Sequence, residues 1–255
     1  MKLCVLGSGS KGNSTLIESG GIHILIDCGF SGREIERRLD AIGCDPQSLT
    51  AILVTHEHSD HISGVGVLSR RYQLPVYINP ATYAAAAKKL GKLAHYESFT
   101  TGESFQLAGI QVHPFAVSHD TVDPVGFVLA CGDKRVGYCT DTGKVTKLIS
   151  YHLQGCSALV LEANHDPAML RNGPYPLELQ QRIKSASGHL TNHDALRFAV
   201  ELAENGLRHL VLAHLSEVNN DPQLVKREVF NLLGCCGALD VHVASQDNPG
   251  PFIAF

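Results

Sequence analysis

Ala51-Ile52-Leu53-Val54-Thr55-His56-Glu57-His58-Ser59-Asp60-His61 decides how the rest of this 255-residue chain is read. The short apolar run predicts a buried strand over 51–54, which delivers three histidines and an aspartate within six residues into a helix expected from Ile62. In extended chain His56 and His58 lie two apart and share one side, whereas Asp60 and His61 fall in the following turn, so the potential ligands divide into two pairs. Imidazole with carboxylate suits Zn²⁺, Mn²⁺ or Fe²⁺. A pair of such ions lowers the pKa of a water and clamps both the attacking and the leaving oxygen of a hydrolysis. A solvated, His-rich turn is the plain alternative, and it leaves the concentration of ligand side chains at a strand end without a reason.

Working outward, strands are expected over 2–6, 16–18 and 22–26, then a helix over 32–42. Ser31 caps that helix, Glu34 completes a capping box and Gly43 stops it. Helices over 62–72 and 80–90 give way to strands near 96–98, 104–107, 110–117, 125–131 and 135–139. The last third reads as strand 158–162, helices 176–185 and 192–204, strand 208–213, helix 222–233 and strand 239–244. Blocks of strands each followed by helices suit a four-layer αββα sandwich, and they suit an ordinary doubly wound α/β sheet as well. With no repeat, low-complexity tract or Pro/Ser-rich linker to divide it, residues 1–255 are expected to form a single domain.

Composition narrows the class. The chain is 44% hydrophobic and 18% charged with 24 glycines, which fits a soluble globular enzyme and excludes fibrous or disordered chains. Its net charge of -4 supplies no overall basic field, so a nucleic-acid substrate has to be held by a local patch or by metal ions. The eight cysteines, at 4, 28, 44, 131, 139, 156, 235 and 236, show no CxxC spacing and mostly fall in apolar segments, where free buried thiols are expected. Only four apolar residues separate Lys2 from Gly7, too few for a signal-peptide core, and no apolar run approaches the ~20 residues that span a bilayer. A cytoplasmic protein without membrane association is the expectation, and no obligate protein partner is evident.

Further candidates end other apolar strands. Asp27 closes Ile24-Leu25-Ile26-Asp27 and either caps a turn or orients ligand histidines. The loop Gly7-Ser8-Gly9-Ser10-Lys11-Gly12-Asn13-Ser14 is either a tight turn or a phosphate cradle, with Ser10 and Asn13 as candidate contacts. His165 in Asn164-His165-Asp166 is either an exposed loop histidine or a substrate or metal contact. His189, in Gly188-His189-Leu190-Thr191-Asn192, precedes an expected helix whose N-terminus favours an anion such as phosphate.

HxHxDH after an apolar strand resembles the signature of the metallo-β-lactamase superfamily, and the remaining stations of that family occur in order. The resemblance implies an αββα sandwich holding two divalent ions, Zn²⁺ or Mn²⁺ with Fe²⁺ possible. It gives His56, His58 and His119 to one ion, Asp60, His61 and His214 to the other, and Asp141 to both. Asp60 and His189 then stand at the catalytic centre, His189 as the group that protonates the leaving oxygen. Ser118-His119-Asp120 lacks the Gly-His-Thr-Pro-Gly turn of thiolester hydrolases, and His58 stands where flavin-linked oxygen-reducing members carry Glu. Both departures point away from those branches. The stretches at 7–14, 118–120 with 123–126, 161–166, 188–192 and 213–217 with 219–220 are most similar to YycJ/WalJ-type proteins, related in plan to ribonuclease Z. That likeness implies a phosphodiesterase with DNA as substrate and exonuclease action. The rivals are a small-molecule phosphodiesterase or lactone hydrolase, and a regulatory protein that uses metal only as a staple.

Overall fold

Alternating and continuous apolar runs build the first half of the chain. β1 (Lys2–Gly7), β2 (Ser14–Ser19) and β3 (Ile22–Ile26) pair antiparallel, with Leu16 opposite Cys4 on one side and Leu25 on the other. After α1 (Gly32–Ala41), β4 (Ala51–Leu53) adds parallel to β3. Then come α2 (Ser59–Ile62), α3 (Val65–Tyr72), β5 (Pro75–Ile78), α4 (Pro80–Leu90) and β6 (His95–Ser98), the last two strands again parallel. β7 (Phe105–Leu107) and β8 (Ile110–Ala116) make an antiparallel hairpin.

The second half follows with β9 (Val125–Cys131), β10 (Lys134–Cys139), α5 (Lys147–Leu153), β11 (Ala158–Glu162), α6 (Pro167–Asn172), α7 (Leu177–Lys184) and α8 (Asn192–Glu204). β12 (His209–Ala213), α9 (Pro222–Leu233), β13 (Asp240–Val243) and β14 (Ile253–Ala254) complete it. This computed structural model describes residues 1–233 and 239–255, so Cys235 and Cys236 lie outside the described residues. The strands form two seven-stranded mixed sheets, in the orders β14-β1-β2-β3-β4-β5-β6 and β13-β12-β11-β10-β9-β8-β7.

By its internal contacts the chain divides into two units, 1–114 with 121–125 and 245–254, and 115–120 with 126–244 and Phe255. In the first, Leu16, Leu25, Ile52 and Val76 of the sheet pack with Ile35 and Leu39 of α1, Leu68 of α3 and Leu90 of α4. In the second, Leu159, Leu161, Leu210 and Leu212 pack with Ile149 and Leu153 of α5, Leu196 and Ala199 of α8 and Val225 of α9. Each unit is thus a sheet bearing a layer of helices, held by area-proportional apolar burial.

Two local expectations are corrected. The single helix over 62–72 is two helices, and the first begins at Ser59, so Asp60 and His61 sit in a first helical turn rather than an irregular one. The break falls at Ser63-Gly64, where Gly64 N donates to Cys28 O at 2.8 Å and a Cβ on Gly64 would stand 2.5 Å from Phe30 O. The capping box at α1 is half-made. Ser31 Oγ accepts from Glu34 N at 3.3 Å, but the Glu34 carboxylate turns to Arg37 and Arg38 instead.

Arg38 is buried at 4% exposure, and its guanidinium donates to Leu6 O at 2.7 Å, Gln246 O at 3.0 Å and Glu34 at 2.7 Å, 3.9 Å above the Phe30 ring. Removing a donor from buried carbonyls costs more than the bond itself contributes. Arg38→Ala is therefore expected to lower stability by about 2 kcal/mol, or roughly 4–8 °C in a thermal melt of a chain this size. An unchanged melt would show that the arginine is dispensable.

Cys4, Cys28, Cys44, Cys139 and Cys156 are buried and unbridged, while Cys131 is half-buried. Burial pushes the Cys4 thiol up to about 12, with Cys44 adding to it, and pushes Cys156 up to about 11 despite Arg135 nearby. Thiolate is the reactive species. An alkylating reagent at pH 8 should accordingly leave both unlabelled in peptide mass spectra until denaturant is added, and native labelling at Cys4 would contradict this burial.

Candidate metal centre

Three side chains expected at the centre leave their strands through an uncommon backbone. Asp27 directly follows β3 with φ 59°, Asp141 comes two residues after β10 with φ 56°, and His214 directly follows β12 with φ 55°. A left-handed conformation costs a non-glycine residue about 1–2 kcal/mol and persists where the surroundings enforce it. It turns each side chain out of the alternation of its strand.

In the first unit the histidine run is wired through Asp27 and Thr55. Asp27, fully buried, accepts from Thr55 N at 2.9 Å, from Thr55 Oγ1 at 2.8 Å and from His61 Nδ1 at 2.7 Å. With its proton given to Asp27, the Thr55 hydroxyl accepts from His56 Nδ1 at 2.9 Å. Both imidazoles are thereby held in the tautomer that directs Nε2 to a ligand position. The His56 ring lies 4.1 Å from that of His61 and 4.9 Å from that of His58, centroid to centroid. Burial raises the Asp27 carboxyl above its ordinary range, against the opposing pull of His61 and Thr55.

The 7–14 loop braces this run. Asn13 N donates to Asp60 O at 2.8 Å, and Asn13 Nδ2 lies 3.3 Å from Asp60 Oδ2 and 3.1 Å from His61 Nε2. Gly29 N donates to Asn13 O at 2.9 Å, and a Cβ on Gly29 would sit 1.6 Å from Asp60 O. Glycine is required there by close approach of backbone to backbone. Ser10 lies exposed in the same loop.

In the second unit a residue not singled out in sequence organises everything. Glu162, fully buried at the end of β11, accepts from His189 Nδ1 and His214 Nδ1, each at 2.8 Å to Oε1. It also takes Asp141 N at 3.2 Å, Thr142 N at 3.3 Å and Leu190 N at 2.8 Å. Burial alone would raise its pKa, but His189, His214 and their hydrogen bonds hold it down at about 2. For His189, burial opposes the charged ring, yet the Glu162 carboxylate wins and the pKa is raised. His119 Nδ1 lies 3.2 Å from Gly188 O, and its Nε2 is 3.8 Å from Asp141 Oδ1.

Ligand atoms of Asp141, Glu162, His189 and His214 fall within 4.8 Å of one another. Imidazole nitrogens beside carboxylate oxygens are the donor set of a borderline divalent ion, so the residues fit the metal expected from the resemblance. His165 departs from the exposed-loop reading. It is 1% exposed, its backbone bridges to Thr191, and desolvation lowers its pKa to about 4. The signal for Glu162 was available, since an acid ending the apolar run Ala158-Leu159-Val160-Leu161 repeats the pattern of Asp27.

A model of the β-lactamase superfamily domain matches residues 23–215, and the chain belongs to this superfamily, on its metallo-β-lactamase side. Within it, the chain is 36% identical over 252 residues to the exodeoxyribonuclease YycJ of Bacillus anthracis, covering 96% of each. It is 39% identical over 236 residues to the exodeoxyribonuclease WalJ of Streptococcus pneumoniae serotype 2, covering 91% of this chain and 88% of that one. Among solved structures, the metallo-β-lactamase fold protein YhfI of Bacillus subtilis shares the fold over 98% of both chains, with a TM-score of 0.74 at 19% identity. The fold class is therefore the αββα one expected, and the activity class is metal-dependent hydrolysis.

Proposed function

We propose that the chain is a nuclease that hydrolyses DNA phosphodiester bonds, acting exonucleolytically in the cytoplasm, and that residues 1–255 form a single domain. The observation that carries the reading is the buried Glu162 carboxylate, which fixes His189 and His214 through one oxygen. His56, His58 and His119 are assigned to one divalent ion, Asp60, His61 and His214 to a second, and Asp141 to both. Either Zn²⁺ or Mn²⁺ suits these donors, and Fe²⁺ is compatible. Ions bound there lower the pKa of water and neutralise charge on phosphoryl oxygens.

The protein's own part is positioning and proton handling. Asp27 and Thr55 keep His61 and His56 in one tautomer and rotamer. Asn13 holds Asp60 in place. Glu162 keeps a proton on His189 Nδ1, which stabilises the imidazolium and lets Nε2 give its proton to the leaving oxygen. Identity to the two exodeoxyribonucleases over most of the chain supports DNA as the substrate.

Metal-free protein should leave an end-labelled DNA strand intact, and Mn²⁺ or Zn²⁺ should restore degradation to short products. Turnover of bis(p-nitrophenyl) phosphate without any cleavage of DNA would replace this reading by a small-molecule phosphodiesterase.

A further inference from the structure

Within the second unit a groove of about 440 Å³ lies between α5 and α8. Its lining includes Gly143 and Leu190, which directly follow Asp141-Thr142 and His189, so the groove adjoins the segments that carry one proposed metal ligand and the proposed proton donor. Lys144, Lys147 and Arg197 line it, all three exposed, and among the described residues none of their side chains is in an ion pair. Two acids share the lining. The Asp194 carboxylate is engaged at 2.8 Å by the Thr191 hydroxyl as part of the α8 cap. Glu201 stands seven residues further along α8, about 10 Å down its axis. The end nearest Asp141 is thus cationic in a protein whose net charge is -4.

Beside the groove, α5 exposes what a base would stack on. Tyr151 is 72% exposed and one helical turn from Lys147, and Leu148 is 45% exposed. An aromatic face next to a row of cations is the composition that binds single-stranded nucleic acid irrespective of its bases.

We propose that this groove takes the sugar-phosphate backbone of a single nucleic-acid strand running away from the scissile bond, with Lys144 and Lys147 on phosphates and Tyr151 beneath a base. The inference rests on the nuclease reading. An acidic protein segment is the competing occupant, and the test separates the two.

The experiment compares the metal-loaded wild-type enzyme with K144E/K147E and Y151A. The substrates are a labelled thymidine oligonucleotide and bis(p-nitrophenyl) phosphate, with oligonucleotide binding followed by anisotropy from 50 to 200 mM KCl. In K144E/K147E, kcat/KM on the oligonucleotide should fall about tenfold or more through KM, and the slope of log Kd against log salt should drop by about 1.4, two phosphates at 0.7 each. Y151A should weaken binding about fivefold at every salt concentration. Hydrolysis of the chromogenic ester should stay at the wild-type rate in both.

Wild-type binding and salt slope in K144E/K147E would overturn the groove and leave its cations to a protein partner. An equal loss on both substrates would overturn it as well, since the lysines would then act on the centre rather than on the strand. If the wild-type enzyme cleaves the ester but not the oligonucleotide, the nuclease reading itself fails and takes this inference with it.

Discussion

Glu162→Gln is expected to reduce turnover about 100-fold or more and to release metal from the second unit's ligands, while the protein stays folded. The amide is nearly isosteric, so the packing at the end of β11 is kept. Its chemistry is not, because one carboxylate oxygen now accepts from two imidazoles and the Asp141 amide and the other from two backbone amides. A glutamine oriented to keep either set aims its NH₂ at donors on the other side. If it turns toward the rings, His189 and His214 must change tautomer, which moves the proton of His189 to the wrong nitrogen. Replacing a group that orients ligand histidines costs 10- to 100-fold in metal affinity or activity, and loss of a general acid adds to this. Kinetics on labelled DNA together with metal analysis test it, with Asp141→Ala as the floor. Wild-type kcat and full metal content in Glu162→Gln would remove this carboxylate from the account.

Gly29→Ala carries the largest expected cost in stability. The added methyl meets three backbone atoms, Asp60 O at 1.6 Å, Asp60 C at 2.3 Å and Asn13 N at 2.6 Å, none of which can swing aside as a side chain would. The neighbouring bonds, Cys28 N to His61 O at 2.8 Å and Asn13 N to Asp60 O at 2.8 Å, tie the same three segments together. Relief therefore means separating the 13–14, 28–29 and 60–61 backbones. Overpacking of this kind costs about 3 kcal/mol or more, which is roughly 10 °C in melting temperature for a chain of this length. Because Asp60 and His61 move with the relief, metal binding should weaken as well. A variant that melts with the wild type and binds metal normally would show that the loops are free to part.

Much of this was readable from residue order alone, for reasons that differ by element. Strands 22–26, 125–131 and 158–162 and helices 80–90, 192–204 and 222–233 have the bounds expected for them, since each carries a full apolar pattern or cap residues. α5 and α6, of seven and six residues, were missed because so few residues hold less than two turns of pattern. α2 started earlier than expected because His58 occupies its N-cap without a side-chain hydrogen bond, so the usual polar cap signature was missing.

The histidines proposed as ligands are read from their order along the chain. The groups that orient them were legible only in part. Asp27 reads in sequence as either a turn cap or a histidine partner, and its 2.7 Å bond to His61 favours the second. Glu162 ends a strand in the same way. Its role depends on His189 and His214 arriving from elements 27 and 52 residues away, which no local pattern encodes. The polar flanks of His165 leave an exposed loop residue and a substrate or metal contact equally open, and the parallel bridge to Thr191 carries it inside.

The three left-handed exits at Asp27, Asp141 and His214 set a ceiling on how far this protein can be hardened against heat. Glycine or asparagine relaxes such a backbone, and these are ordinarily the first positions where a stabilising change is sought. Here each of them also carries a side chain wired to the proposed centre, so the strain is held where it cannot be released separately from the chemistry. Gains in thermal endurance have to come from elsewhere in the chain, and a variant selected for heat alone has an open route to a well-folded, inert protein.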